Sequence, residues 1–297
     1  MKRVVSLVPA GTEMVAALGA ASSLVGVSHE CDYPEEIRCL PRVTTTTVDP
    51  AVSSGAIDAA VQALRAAGRP VIAADGALLS RLAPDLILTQ GLCEVCAVGD
   101  GEVHRLAQAL DPAPTVIGLE ATGLDGIWQD IRRVAAALDL APEAEELIAG
   151  LTYRLRRIRP PESPTPPRVL CVEWLDPLYL AGHWVPEMVE AAGARDVGAD
   201  PGAPSRRGTW TEVEGLRPDL VLVMLCGFDV PRAIREMEEV REPAALGLFR
   251  DLPTWVLDGN AYTSRPGPRV VDGAERIRAA LEGRALSGLG RWESCHG

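Results

Sequence analysis

The sequence predicts an α/β protein of two Rossmann-like lobes, each a parallel sheet flanked by helices, joined by a long connecting helix and enclosing a ligand cleft. Three observations predict it. At 297 residues the chain exceeds one ordinary domain, so two lobes of roughly 100 to 150 residues, each with its own core, are expected. Short apolar runs rich in β-branched residues alternate with helical stretches, which is the pattern of buried parallel strands and crossover helices. The halves also repeat each other loosely: Arg3–Val8 is echoed by Arg168–Val172, Glu13–Ala20 by Glu187–Ala194, and Leu82–Leu88 by Leu216–Leu222, in the same order.

Each element follows from local signals. Strands are expected at Val4–Val8, Ser23–Val27, Val71–Ala73, Leu86–Thr89 and Thr115–Gly118, then at Val169–Glu173, Leu220–Met224 and Thr254–Leu257. Thr12 reads as the cap of a helix closed by Gly19, and Pro186 opens its counterpart, closed by Gly193. Leu124–Arg159 lacks strand signals and spaces Ile127, Ile131, Val134, Ala135 and Leu138 as one helical face, with a break expected near Leu140–Ala141. A proline-rich link follows over 160–167. The resulting division is an N-terminal lobe over 1–122, a helical connector over 123–160, a C-terminal lobe over 161–285, and a tail of little pattern over 286–297.

Composition narrows the function. A net charge of -12 repels a phosphate backbone, so nucleic acid is not an expected partner. No apolar run approaches the ~18 residues of a membrane span, so membrane insertion is not expected. Met1-Lys2-Arg3 runs straight into the first strand without a leader pattern, so a cytoplasmic location is expected. Seven cysteines, an odd number, fit a reducing compartment with mostly free thiols.

In parallel α/β sheets ligands sit beyond the carboxyl ends of the strands. Those loops carry Pro9, Thr12 and Glu13; His29, Asp32 and Tyr33; and Gln90 and Gly91 in the first half. In the second half they carry Trp174, His183, Trp184, Trp210, Phe228, Tyr262 and Arg265. The tryptophans are candidates for flat apolar walls, His29 and His183 for a nitrogen ligand or hydrogen bond, and Tyr262 and Arg265 for the rim. Each has a plainer alternative: a Trp as packing anchor, a His as surface or cap residue, Glu13 as the carboxylate of a helix start, Arg265 as partner of a neighbouring helix end. Cys93 and Cys96 form a CxxC pair which, with Cys31 and His29, makes a candidate metal site for zinc or an iron–sulfur cluster; the alternative is that the thiols are core or wall residues.

Several of these segments carry a resemblance. Val4–Glu13, Gly26–Ser28 with Cys31–Pro34, Pro84–Ile87, Ala181–Gly193 and Tyr262–Pro268 are similar, in order, to motifs of the periplasmic (solute) binding proteins of ABC transporters, closest to the cobalamin-binding branch. The resemblance spans roughly residues 3 to 281. It implies two α/β lobes on one long rigid helix, with cobalamin or a related tetrapyrrole or metal chelate as the small-molecule ligand. An ABC permease or a cytoplasmic acceptor would be the implied partner. The expected function is therefore binding without turnover; the alternative is a metal-centred protein or enzyme built on Cys31, Cys93 and Cys96. No Ser-His-Asp signature, P-loop or GxGxxG after a strand supports an ordinary hydrolase, ATPase or dinucleotide enzyme.

Overall fold

The computed structural model describes residues 2–91, 98–161 and 163–292. The chain forms two units: Met1–Val52, Ala56–Ala121 and Asp125–Ala149 make the first, and Ser53–Gly55, Thr122–Leu124 and Gly150–Gly297 the second.

In the first unit the chain runs β1 (Val4–Ser6), α1 (Pro9–Ala17), β2 (Leu24–Val27), β3 (Thr44–Thr46), α2 (Ser54–Ala66), β4 (Ile72–Ala74), α3 (Gly76–Leu82), β5 (Leu86–Gln90), α4 (Asp100–Gln108), β6 (Thr115–Leu119) and α5 (Leu124–Leu138). Strands β2, β1, β5 and β6 form a four-stranded sheet in that order, every pair parallel. Val4, Val5 and Ser6 are all buried, as a central strand covered on both faces requires. On one face Val5, Leu7 and Ile87 meet Val61 of α2, Leu79 of α3 and Val103 of α4 in a continuous apolar core. The expected strand at Val71–Ala73 forms one residue later and outside this sheet, paired antiparallel with β3 in a two-stranded ribbon.

The connector folds as α5 and then α6 (Ala141–Ile158). Asp139, at a left-handed φ of 62°, turns the chain between them, beside the break expected from sequence.

The second unit continues with β7 (Arg168–Leu175), β8 (Leu178–Leu180), α7 (Val185–Ala191), β9 (Arg195–Asp196), β10 (Arg206–Arg207), α8 (Trp210–Gly215), β11 (Leu220–Val223), α9 (Val230–Glu239), α10 (Pro243–Asp251), β12 (Thr254–Leu257), α11 (Gly259–Tyr262), α12 (Val270–Leu281) and β13 (Leu289–Arg291). Its sheet has the order β10-β8-β7-β11-β12-β13, with β9 also on β7. The centre, β7-β11-β12, is parallel, while β8, β10 and β13 are antiparallel additions at the edges. The C-terminal tail thus supplies an edge strand, β13, which its sparse apolar pattern did not announce.

Helix α1 starts earlier than its sequence suggests. Proline at the first helical position presets φ, so the helix begins at Pro9 and Thr12 lies inside it rather than capping it. Glu13 consequently falls in the second turn, buried at 2% exposure, and is not the carboxylate of a helix start.

Candidate functional site

The carboxyl edge of the first sheet is polar and tightly bonded. Thr12 is buried, with Oγ1 on the Val8 carbonyl and 3.1 Å from Cys31 Sγ. After β2, Arg42 ties the loop down by donating Nη1 to the Ser28 and Cys31 carbonyls at 3.2 and 2.7 Å. His29 is half-buried and rests on Thr44: its backbone N–H donates to Thr44 Oγ1 at 2.9 Å, and its Nδ1 lies 2.7 Å from the same oxygen. Burial, aided by the Arg42 charge, holds the imidazole pKa below its ordinary value. Asp32 accepts Arg38 Nε on its carbonyl, and Tyr33 is 47% exposed. Gln90, the last residue of β5, is half-buried, and Gly91 after it donates its N–H to the Leu119 carbonyl. Cys93 and Cys96, and with them the CxxC half of the expected metal site, lie outside the described residues. Among the described residues, no three His, Cys, Asp or Glu side chains cluster as metal ligands.

The second sheet carries its aromatics at the same kind of edge. Trp174, near the end of β7, packs at 5.4 Å on Phe228, and Arg232 stacks its guanidinium 4.8 Å from the Phe228 ring centroid. Arg232 in turn pairs at 3.0 Å with Glu236, whose carboxylate is 8% exposed. Trp174 Nε1 donates to the Asp176 carbonyl, which fixes the turn from β7 into β8. Beside this turn lies a cavity of about 650 Å³, within the usual range for small-molecule sites. Trp210, the first residue of α8, stands in its wall with Leu175; Asp176, Arg207, Thr209 and Glu236 contribute polar groups. Its carboxylates (Asp176, Glu236, Glu239, Glu242) outnumber its guanidiniums (Arg207, Arg241).

The other expected residues of this unit are placed apart from that cavity wall. His183 has a left-handed backbone, φ 54°, held by its N–H on the Ala203 carbonyl at 2.6 Å and its carbonyl on the Gly202 N–H at 3.0 Å. Only glycine fits before it, since a Cβ on Gly182 would stand 2.5 Å from the Ala203 oxygen. Burial lowers the His183 pKa. Trp184 is 7% exposed and donates Nε1 to the Thr263 carbonyl at 2.8 Å, the geometry of a packing anchor. Tyr262 has the guanidiniums of Arg269 and Arg276 at 5.0 and 3.9 Å from its ring centroid, and buried Arg265 donates to Asn260 Oδ1 at 2.7 Å.

Sequence reasoning overlooked Thr44, which orients His29, and Asp196. Nothing in the run Thr44–Thr47 singles out one hydroxyl. Asp196 is 8% exposed on β9; burial pushes its carboxyl up to about 6, offset in part by the Gly198 N–H at 2.7 Å and by Cys171, Ala199 and Arg206. The Cys171 thiol beside it is pushed well up by its own burial and by the Asp196 charge.

No protein-family model matches the chain, and no curated protein does. Solved structures do. A periplasmic heme binding protein from Pseudomonas aeruginosa is 21% identical with a TM-score of 0.73, covering 100% of this chain and 99% of that one. The periplasmic vitamin B12 binding protein BtuF of Vibrio cholerae is 20% identical (TM-score 0.62; coverage 95% and 96%). The periplasmic heme-binding protein RhuT from Roseiflexus sp. RS-1, in apo form, is 22% identical (TM-score 0.65; coverage 95% and 98%). The chain therefore has the fold of the periplasmic solute-binding proteins.

Proposed function

We propose that this protein binds a corrinoid, or a closely related tetrapyrrole-like metal chelate, without chemical turnover. The observation that carries the reading is the cavity at the end of β7, where one indole wall, Trp210, stands within a rim of hydroxyls, carboxylates and guanidiniums. A flat macrocycle needs both parts: an apolar surface for its face and hydrogen-bonding groups for its polar edge. One feature supports the corrinoid over a haem. The excess of carboxylates at the cavity repels the propionates of a haem, whereas the amide edge of a corrinoid both donates and accepts hydrogen bonds. The fold itself supports the wider ligand class, since heme binding proteins and a vitamin B12 binding protein are both built on it. An ABC permease or a cytoplasmic acceptor is the partner this reading proposes for handing the ligand on.

The test is a titration of the full chain with hydroxocobalamin and, separately, with haemin, followed by absorbance and calorimetry. Saturable binding of the corrinoid, tighter than that of haemin and weakened roughly tenfold by Trp210→Ala, is expected. No heat and no spectral change with either compound at high micromolar concentration would reject the reading.

A further inference from the structure

The cavity beside the β7–β8 turn is lined by charged groups that are spent to different degrees. On the α9 side, Glu236 is already paired with Arg232 at 3.0 Å, and Arg241 gives Nη1 to the Glu238 and Val240 carbonyls at 2.7 and 3.0 Å. The carboxylates of Glu239, Glu242 and Asp176 make no hydrogen bond or ion pair among the described residues. Arg207 stands out among the guanidiniums. It lies on β10, where pairing opposite Tyr179 of β8 and the Gly208 N–H on the Leu178 carbonyl at 3.0 Å fix its backbone. Its neighbour Arg206 leaves the opposite face of the strand and is spent on the Gly198 carbonyl at 2.9 Å and on Glu212 at 2.8 Å. Arg207 lines the cavity, is exposed, and among the described residues its guanidinium has neither a hydrogen bond nor an ion pair. It is thus the cavity guanidinium left for a ligand, and it precedes the Trp210 wall by three residues on the same stretch of chain.

We infer that Arg207 selects corrinoids that carry the nucleotide loop, taking the phosphodiester of that loop while the corrin ring lies on Trp210. The inference rests on the ligand class proposed above and names the member of it. One planar guanidinium is matched by one phosphodiester, which it grips through two parallel N–H···O bonds. The unspent carboxylates suit the remainder of such a ligand, whose cobalt–corrin centre is cationic, and they oppose any second anion. A haem brings two propionates to one free guanidinium. A corrinoid cut off before its nucleotide loop brings no anion and leaves Arg207 unpaired.

The test compares cyanocobalamin with aquocyanocobinamide in calorimetric titrations of the full chain; the second compound has the same ring, amide edge and cobalt-bound cyanide, and no nucleotide loop. The wild type should bind cyanocobalamin roughly 5- to 10-fold more tightly at low ionic strength, and the advantage should shrink at about 0.5 M salt. Arg207→Gln should bring the two affinities within about twofold by weakening cyanocobalamin alone, and Arg207→Lys should keep part of the advantage, since a point charge still attracts phosphate without the planar fork. Trp210→Ala, which removes the wall common to both, should weaken the two compounds alike. A wild type without preference for cyanocobalamin, an advantage that survives Arg207→Gln, or equal weakening of both compounds by Arg207→Gln overturns the assignment, while binding of either compound leaves the corrinoid reading standing. If the wild type binds neither compound nor hydroxocobalamin, both readings fall.

Discussion

In the first unit Arg3 donates its backbone N–H to Asp85 Oδ2 at 2.7 Å and its guanidinium to the Leu82 carbonyl; in the second, Arg168 donates its N–H to Asp219 Oδ2 at 2.8 Å and its guanidinium to the Leu216 and Arg217 carbonyls. Ala83 and Arg217 take matching left-handed conformations, φ 41° and 46°, at the turns into β5 and β11. The helices that follow each first strand close alike, with Gly19 and Gly193 at φ 76° and 89° and Ala20 and Ala194 bonding back to Val15 and Val189. At the carboxyl edges the likeness ends. The first unit passes from β1 to α1 across only Leu7 and Val8 and buries Thr12, Ser28 and Thr44 there, whereas the second inserts the β7–β8 hairpin and gathers Trp174, Phe228 and Trp210 near it. The two halves thus share the device that sets strand register, and they differ where ligands are met on this kind of sheet.

The strongest way to break the comparison is at its paired glycines. Both sit at positive φ, so alanine costs each about 1 kcal/mol of backbone strain. Beyond that the surroundings differ: a Cβ on Gly19 meets nothing within 4 Å, while one on Gly193 would lie 2.2 Å from Pro160 Cγ. Gly193→Ala is expected to lose roughly 2 to 4 kcal/mol in urea unfolding, strain and overpacking together, against about 1 for Gly19→Ala. Equal losses would mean that the second glycine is not locked by the proline-rich link.

These paired features were legible in the sequence because each is local. A Pro-Asp turn, a glycine after a helical run and a run of β-branched residues announce themselves within about ten residues. The short edge strands were not. Thr44–Thr46 and Arg206–Arg207 are polar and two or three residues long, and only pairing with β4 and β8 makes them strands. The candidate site divides in the same way. That Trp174 and Phe228 belong together follows from their places at the carboxyl ends of neighbouring parallel strands, β7 and β11, but the role of Thr44 and the burial of Asp196 depend on packing between segments far apart in sequence.

Buried aspartates sharpen the comparison next. Asp196 in the second unit has its carboxyl pushed up to about 6 from 3.8. Between those values the folded protein holds a proton that the unfolded chain has released. The group therefore favours folding at low pH, and that contribution is lost as pH rises through 3.8 to about 6. Asp196→Asn keeps an acceptor for the Gly198 N–H and removes the buried charge, so it should stabilise the protein by about 1 to 3 kcal/mol at about pH 8 and by almost nothing at about pH 4. Asp130 in the first unit is as deeply buried, and burial raises its carboxyl pKa too, but that carboxylate accepts the Glu120 and Ala121 N–H groups at 2.9 and 3.0 Å and pairs with Arg133 at 3.0 Å, contacts that pull the pKa back down. An amide there would turn its NH₂ toward a guanidinium, so Asp130→Asn should destabilise at neutral pH. Denaturant midpoints of both variants at the two pH values decide the point, and a gain from Asp130→Asn would contradict it.

The smallest expected effect is the most direct test of shared construction. Asp85→Ala and Asp219→Ala each remove one carboxylate acceptor from the backbone N–H of an arginine at the entry to the unit's first strand, Arg3 just before β1 and Arg168 as the first residue of β7. Both sites are exposed, so water replaces the lost acceptor in part and each substitution should cost only about 1 kcal/mol. The magnitudes matter less than their equality. The remaining bonds are the same in kind on both sides, arginine guanidinium to turn carbonyl and the aspartate N–H back to the arginine carbonyl at 2.8 Å. If one variant loses several times more than the other in urea unfolding, the Pro-Asp turns into β5 and β11 bear different loads, and the resemblance between Leu82–Leu88 and Leu216–Leu222 is one of shape without equivalence of energy.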